Sequence, residues 1–452
     1  MFVTVKAKVL SDATGIFTEM PVLLTPAGVL TPLLDYCLAR AHDRSLAWMI
    51  KLNKSVRLFL EYMECNHGEE EGYVLFRNFA QRLYTGTFEK QSGLDESGLC
   101  WRGRSPLGAQ NIITQLTDFF RWLGELRPAA ATLNPKYVGS VYDQKMDRYA
   151  YEYRRNSAFL GHAWESNASN HSSGRLRPRR PLNVEIGDPP AFPEDRFMDL
   201  LVDGFKVGGR YDYRNMLITL LLHGAGFRES EPFHLYISDV IRSPEDSRYA
   251  TVSIHHPTYG AAPEEWVSIS GKAKLNRSDY LAARYSCAPR NELLNSKGAG
   301  WKGGMHDAPY YKKAYWFSPN FGQLFQTLWE RYLEQVAGIS RSHPFAFVNI
   351  HREPRGEMYC IAQYNKSHAA ACRRIGLIVS KSCGTTPHGH RHAYGRRLSE
   401  AGINKDLIRR FMHHSSIDSQ DIYTRIGMKE ALEALTVAAD RMYPNLSIDT
   451  DF

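Results

Sequence analysis

Paired cysteines are missing from this chain. Its seven cysteines are scattered as Cys37, Cys65, Cys100, Cys287, Cys360, Cys372 and Cys383, and none forms a C-x-x-C pair. That pattern suits a reducing cytosol and argues against a disulfide framework or a cysteine-rich zinc site. The opening residues, MFVTVKAKVLSDATGIF, hold no long apolar stretch, so no signal peptide is expected. No apolar run approaches the ~20 residues a membrane span needs. No internal period points to a repeat protein, and no H-E-x-x-H occurs.

What remains is a basic globular chain. At 452 residues it has room for two or three domains, each with its own core. The net charge of +8 calls for an acidic partner, of which nucleic acid is the commonest.

Periodicity divides the chain. Residues 1–30 read as short extended pieces. From Asp43 to Cys65 a helical stripe recurs at Leu46, Met49, Ile50, Val56, Phe59, Leu60 and Met63. A second helix is expected from Tyr73 to Tyr84. Ser105 then reads as a cap, with Pro106 in the first helical position. Residues 134–165, rich in tyrosine and arginine, read as partly helical. Residues 1–165 therefore form a helical N-terminal domain. Residues 166–189 form a basic linker whose Arg175, Arg177, Arg179 and Arg180 are not offset by any acid through residue 183. A solvated tether is the plain alternative; with an acidic polymer as partner, these arginines are expected to touch phosphates.

Residues 190–452 form the second domain. Helices are expected at Pro193–Val207 and Tyr211–His223, then a glycine-containing turn, HGAGFRESEP. Strand patterns follow at 250–257 and 312–318, separated by a long polar excursion to Tyr310. Asn320 reads as the cap of an amphipathic helix carrying Phe321, Leu324, Phe325, Leu328, Trp329 and Tyr332. A further helix ends at Gly376, and a terminal one spans 428–441. The expected fold is mainly α with a small antiparallel β-sheet.

Chemistry concentrates in Pro387–Arg425, PHGHRHAYGRRLSEAGINKDLIRRFMHHSSIDSQDIYTR. Pro387 starts a helix, Gly402 stops it, and Asn404 caps the next. His388 and Arg391, three apart, share a helical face. His414 sits at a helix end, and Tyr423 follows nine residues later. Imidazoles, guanidinium and a phenol that converge on one anion suit chemistry on a phosphate. Guanidinium is planar, always charged and bidentate. A phenol with a pKa near ~10 needs cationic neighbours or a base to attack at neutral pH.

This stretch resembles the tyrosine recombinases, the phage integrase family. HGHRHAYGRRLSEAG is similar to their second box, and MHHSSIDSQDIYTR to their closing L-G-H-x-S…Y segment, with His413 where glycine is usual. GAGFRESEPFHL resembles their first box. The resemblance covers about 190–435. It implies a helical core-binding domain followed by a mixed α/β catalytic domain. It implies that Arg228 and Arg391 bind the scissile phosphate, that Glu231 supports them, and that His388 and His414 assist. It implies that Tyr423 attacks to leave a 3′-phosphotyrosine. A lysine general acid belongs on the hairpin between the second and third strands, here enlarged to about 256–310. Lys302, beside the returning strand, is preferred over Lys272, while Lys312 and Lys313 read as surface charges flanking that strand.

The resemblance further implies duplex DNA as partner, a homotetramer on two DNA segments, accessory DNA-bending proteins, and no metal or other cofactor. A bacterial cytoplasmic, nucleoid-associated protein encoded by a mobile element would fit. Two rivals stand beside it. His388, His390, His392, His413 and His414 are numerous enough for a zinc hydrolase, although H-x-H-x-H spreads its rings around a helix. A purely architectural DNA-binding protein would account for the charge and the linker.

Overall fold

A computed structural model describes residues 1–10, 15, 17–66, 72–89, 92–127, 133–134, 189–244, 246–264, 266, 276–304 and 310–414, with isolated residues between 145 and 176. Arg175, Arg177, Arg179, Arg180, Lys272, Tyr423 and the helix expected at 428–441 lie outside the described residues. The chain divides into two compact units, Met1–Val184 and Glu185–Phe452.

In the first unit the extended pieces form an antiparallel sheet of β1 (Val3–Leu10), β2 (Phe17–Thr25) and β3 (Gly28–Val29). Helices follow at α1 (Thr31–Ala39), α2 (Leu46–Cys65), α3 (Gly72–Thr85) and α4 (Pro106–Leu126). The expected caps form, since Ser45 Oγ accepts from Trp48 N at 3.3 Å and Ser105 Oγ from Gly108 N at 3.2 Å. The apolar stripes meet in one core, where Phe59 meets Phe79 edge to face at 5.1 Å. Each such buried phenyl contributes about 2 kcal/mol.

The second unit begins differently from expectation. The helix read over Pro193–Val207 is a run of short turns: a 3-10 turn at Glu194–Arg196, one α-turn at Phe197–Asp199, and a π-turn at Leu200–Gly204. The helical pattern overruns because a hairpin of β4 (Lys206–Val207) and β5 (Arg210–Tyr211) follows directly. Its two turn residues, Gly208 and Gly209, have φ of +57° and +77°, which no helix admits.

Helix α5 (Tyr213–Gly224) is buried on every side, in keeping with its largely apolar run MLITLLL from Met216 to Leu222. A three-stranded antiparallel sheet, β6 (Val240–Arg242), β7 (Ala250–His255) and β8 (Tyr311–Lys313), packs beside it. The excursion between β7 and β8 carries a folded piece. It contains α6 (Arg277–Tyr285), whose Tyr280 and Leu281 join Tyr236, Phe345 and Met358 in a small core. Buried arginines tie it down: Arg277 pairs with Asp239 at 3.0 Å, and Arg290 donates to the carbonyls of Phe233 at 3.0 Å and Tyr359 at 2.8 Å.

Helix α7 (Pro319–Val336) starts earlier than expected, because Ser318 and not Asn320 is its cap. Helices α8 (Ile361–Arg374), α9 (Pro387–Glu400) and α10 (Lys405–Phe411) complete the described chain. Gly376 and Gly402 take φ of +79° and +70° at the stops read from the sequence, and Asn404 Oδ1 accepts from Leu407 N at 2.9 Å. The fold is mainly α with small antiparallel sheets.

Candidate functional site

The site is built where α5, β8 and α9 meet. Leaving α5, the chain turns through Gly226, whose φ is +68°. A Cβ there would collide with the ring of Tyr394 on α9. This glycine lets the first arginine-bearing turn lie against the second arginine-bearing helix.

Arg228 follows. Its backbone N–H donates to Glu231 Oε2 at 2.7 Å, and its Nη1 to Oε1 of the same carboxylate at 3.2 Å. Its side chain remains 19% exposed, so an anion can reach it, whereas Glu231 is sealed. Lys312 Nζ donates to Glu231 Oε1 at 2.7 Å and lies 4.4 Å from the centroid of Trp301. The Lys312 side chain is fully buried, which corrects its reading as a surface charge. Burial would raise the Glu231 carboxyl, but Lys312, Arg228 and Arg391 override it and hold the group well below the usual carboxylate range. Burial pulls the Lys312 ammonium down while Glu231 resists.

Arg391 reaches in from α9 and is buried. Its Nη1 donates to the carbonyl of Gly226, and its Nη2 to that of Met412 at 2.7 Å. These bonds clamp the turn after α5, helix α9 and the end of α10 together, and they engage two of the five N–H donors a guanidinium carries.

His388 lies one turn before Arg391 and packs edge to face on His392 at 4.4 Å. Burial, then the charges of His392, Arg391, Lys302 and Arg228, lower it to about 4. His414, buried after α10, is lowered to about 3 by burial, Arg391, Arg228 and His413. Both imidazoles are therefore neutral at pH 7, with one donor and one acceptor each. His413 occupies a left-handed position, φ +52°, and stacks on Phe227 at 5.6 Å.

The returning limb of the excursion closes one side. Gly304 sits against the carbonyl of His413, and a Cβ on this glycine would lie 3.6 Å from Arg228 Nη1. Lys302 is exposed, and its carbonyl accepts from Lys312 Nζ at 3.4 Å. A cleft of about 590 Å³ opens beside His388, lined also by Glu229, Asn365, His368, Lys381 and His392.

Of the residues read from the sequence, Arg228, His388, Arg391 and His414 come together, with Lys302 near enough for its charge to press on His388. Lys312 was missed. Register would have found it: Lys312 pairs with buried Ile254 across the sheet, so both point inward. His390 turns away, toward His223 and His368. Among the described residues no helix is long and apolar enough to cross a membrane.

The fold and the site define a mixed α/β domain that gathers guanidinium, ammonium and imidazole side chains in one region. No protein-family model matches the sequence, and no curated protein does. Solved structures similar to it include the XerH site-specific recombinase bound to palindromic difH substrate, at 13% identity and a TM-score of 0.48, covering 90% of this chain and 84% of that one. The Tn1549 transposon integrase in complex with transposon right end DNA is similar at 13% identity and a TM-score of 0.38, over 85% of this chain and 99% of that one. The integrase of mycobacterium phage Brujita is similar at 12% identity and a TM-score of 0.28, over 93% and 95%.

Proposed function

We propose that this protein is a site-specific DNA recombinase of the tyrosine type. It cuts and rejoins duplex DNA through a 3′-phosphotyrosine at Tyr423. The observation that supports it most is the convergence of Arg228, Arg391, His388 and His414 around the buried Glu231–Lys312 pair.

A phosphodiester gains negative charge on its non-bridging oxygens as it becomes five-coordinate. Arg228 and Arg391 meet that charge with fixed donors, which cost no reorganisation during the reaction. Tyr423 Oη attacks phosphorus, and its proton passes to His388. The imidazole is a weak base by itself, and a bound phosphate raises its proton affinity. His414 donates to a non-bridging oxygen. The bond from phosphorus to O5′ breaks, and Lys302 supplies the proton to O5′. Attack by the 5′-hydroxyl of another strand reverses the step. The ester conserves the bond energy, so no nucleotide cofactor is consumed. Exchange between two DNA segments calls for a tetramer, as in a mobile element's integration or excision.

The test is incubation with candidate duplex DNA followed by denaturing electrophoresis. A covalent adduct is expected, lost in Tyr423→Phe while DNA binding survives. An adduct that persists in that variant removes Tyr423 as nucleophile. A wild-type protein that binds DNA without ever forming an adduct is architectural.

A further inference from the structure

Behind the site, three imidazoles run in line through the core. His368 on α8 meets His390 on α9 through Nε2 to Nε2 at 2.8 Å. His390 meets His223 on α5 through Nδ1 to Nδ1 at 3.2 Å. All three rings are fully buried. Phe192 stacks on His390 at 4.2 Å and Phe197 on His223 at 3.6 Å, which fixes both ring planes. The candidate chemistry uses none of them.

We propose that His223, His390 and His368 form a polarised hydrogen-bonded wire, with its direction set by Arg397, and that this wire positions α9 so that His388 and Arg391 face the phosphate. The second half of this inference rests on the transesterification reading above; the first does not.

The direction follows from counting protons. A neutral imidazole has one donor and one acceptor nitrogen. Each contact joins like nitrogens, so the tautomers must alternate along the line. Only two states exist, and one nitrogen decides between them. That nitrogen is His223 Nε2, which lies 2.6 Å from Arg397 Nη1 and 3.2 Å from Glu194 Oε2. Guanidinium has no acceptor, and its shorter contact leaves no room for a proton on the ring nitrogen, so it prevails over the longer Glu194 contact: His223 Nε2 is bare and its proton sits on Nδ1. His390 Nδ1 is then bare and its Nε2 protonated, and His368 carries its proton on Nδ1. There it faces Cys372 Sγ at 3.7 Å. The second hydrogen of Arg397 Nη1 goes to Glu194 Oε2 at 2.7 Å. Burial lowers the proton affinity of all three rings, so the line stays neutral.

The positioning follows from helix geometry. His390 is two residues after His388, so the two side chains point about 200° apart around α9. One face of α9 serves the site and the opposite face serves the wire. Arg397 lies seven residues after His390, two turns along the same face. His223 is thus gripped twice by one helix, at Nδ1 by His390 and at Nε2 by Arg397, while Arg397 Nη2 also donates to the His223 carbonyl. Rotating α9 would break both grips and leave buried polar atoms unsatisfied.

Ring-nitrogen NMR on the full chain with ¹⁵N-labelled histidine tests this. The wild type is expected to show protons on His223 Nδ1, His390 Nε2 and His368 Nδ1. In Arg397→Met the Glu194 carboxylate, already 3.2 Å from His223 Nε2, is left without its competitor, and all three tautomers should invert, including His368 two rings away. Glu194→Gln keeps Arg397 and should invert none. Tautomers that do not alternate in the wild type, or a His368 that stays put when His223 inverts, overturn the wire; the first outcome needs no variant to fold. The second arm is adduct formation by His390→Leu, expected to fall about a hundredfold through misplacement of α9, with DNA affinity kept. Unchanged adduct formation overturns the positioning role. Alternating tautomers in a wild type that forms no adduct would sink the recombinase reading and leave the wire standing.

Discussion

Lys312 Nζ lies 2.7 Å from Glu231 Oε1, with both side chains sealed from solvent. A buried pair of this kind is strongly coupled, because removing one partner leaves the other charge uncompensated. Lys312→Met or Glu231→Gln alone should cost about 3–5 kcal/mol. The double variant should recover part of that loss, since it removes both members of the pair and leaves only Arg228 and Arg391 without the carboxylate. Denaturant midpoints around a double-mutant cycle provide the check. Additive losses would mean that the two groups do not act as a pair. Either single variant should also weaken phosphate binding by Arg228, because Glu231 accepts one hydrogen bond from that guanidinium and one from the Arg228 backbone N–H.

Acid sensitivity follows from the buried histidines. His223 and His388 are lowered to about 4, and His368 and His414 to about 3, in each case mainly by burial. In the unfolded chain a histidine titrates near ~6.5. Between these values the unfolded state binds more protons than the folded one, so stability rises with pH there. Stability should be complete above pH ~6.5 and be lost as pH falls toward 4. Urea midpoints at pH 7.5, 6 and 5 should fall in that order; a midpoint unchanged down to pH 5 would remove the argument.

How far the sequence carried these conclusions depended on the kind of signal. Helix ends were legible because local chemistry sets them: Ser105, Asn404, Gly376 and Gly402 act within one turn of themselves. His388 and Arg391 were legible because a shared helical face is a local fact. Lys312 was not, since its burial depends on Ile254 across the sheet and Glu231 some eighty positions away. A lysine beside a second lysine at a strand end reads as solvated until its partner is known. The excursion over 256–310 misled in the same way, because Arg277 and Arg290 look polar but spend their charge on Asp239 and on backbone carbonyls. The partners of His390 were not legible because they lie on two other helices.

His413 stands in the left-handed region at φ +52°. A side chain there costs roughly 1–2 kcal/mol relative to glycine. Phe227 stacking offsets part of that cost for the histidine. Comparing His413→Gly with His413→Ala removes the ring from both sides. The glycine variant should be the more stable by about 1 kcal/mol. Equal thermal midpoints would show that the backbone relaxes away from this conformation.

The two lysines proposed as general acid separate by leaving-group chemistry. Lys302→Ala should slow cleavage by roughly 10²–10⁴-fold, and a 5′-thiol leaving group, which needs no proton, should restore it. Lys272→Ala should cleave both substrates at the wild-type rate. The reverse pattern would move the general acid to Lys272.

The basic segment makes a prediction that salt can read. Arg175, Arg177, Arg179 and Arg180 lie within a stretch with no acidic neighbour. If each neutralises one phosphate, each releases about 0.9 counterion on binding. Replacing all four with glutamine should flatten the plot of log affinity against log salt by up to about 3.6. The loss should be similar for any duplex sequence, because phosphate contacts carry no base information. A solvated tether makes a different prediction: weaker solubility, but an unchanged salt slope. Fluorescence anisotropy on two unrelated duplexes over 50–200 mM salt distinguishes them, and an unchanged slope would assign these arginines to solvent.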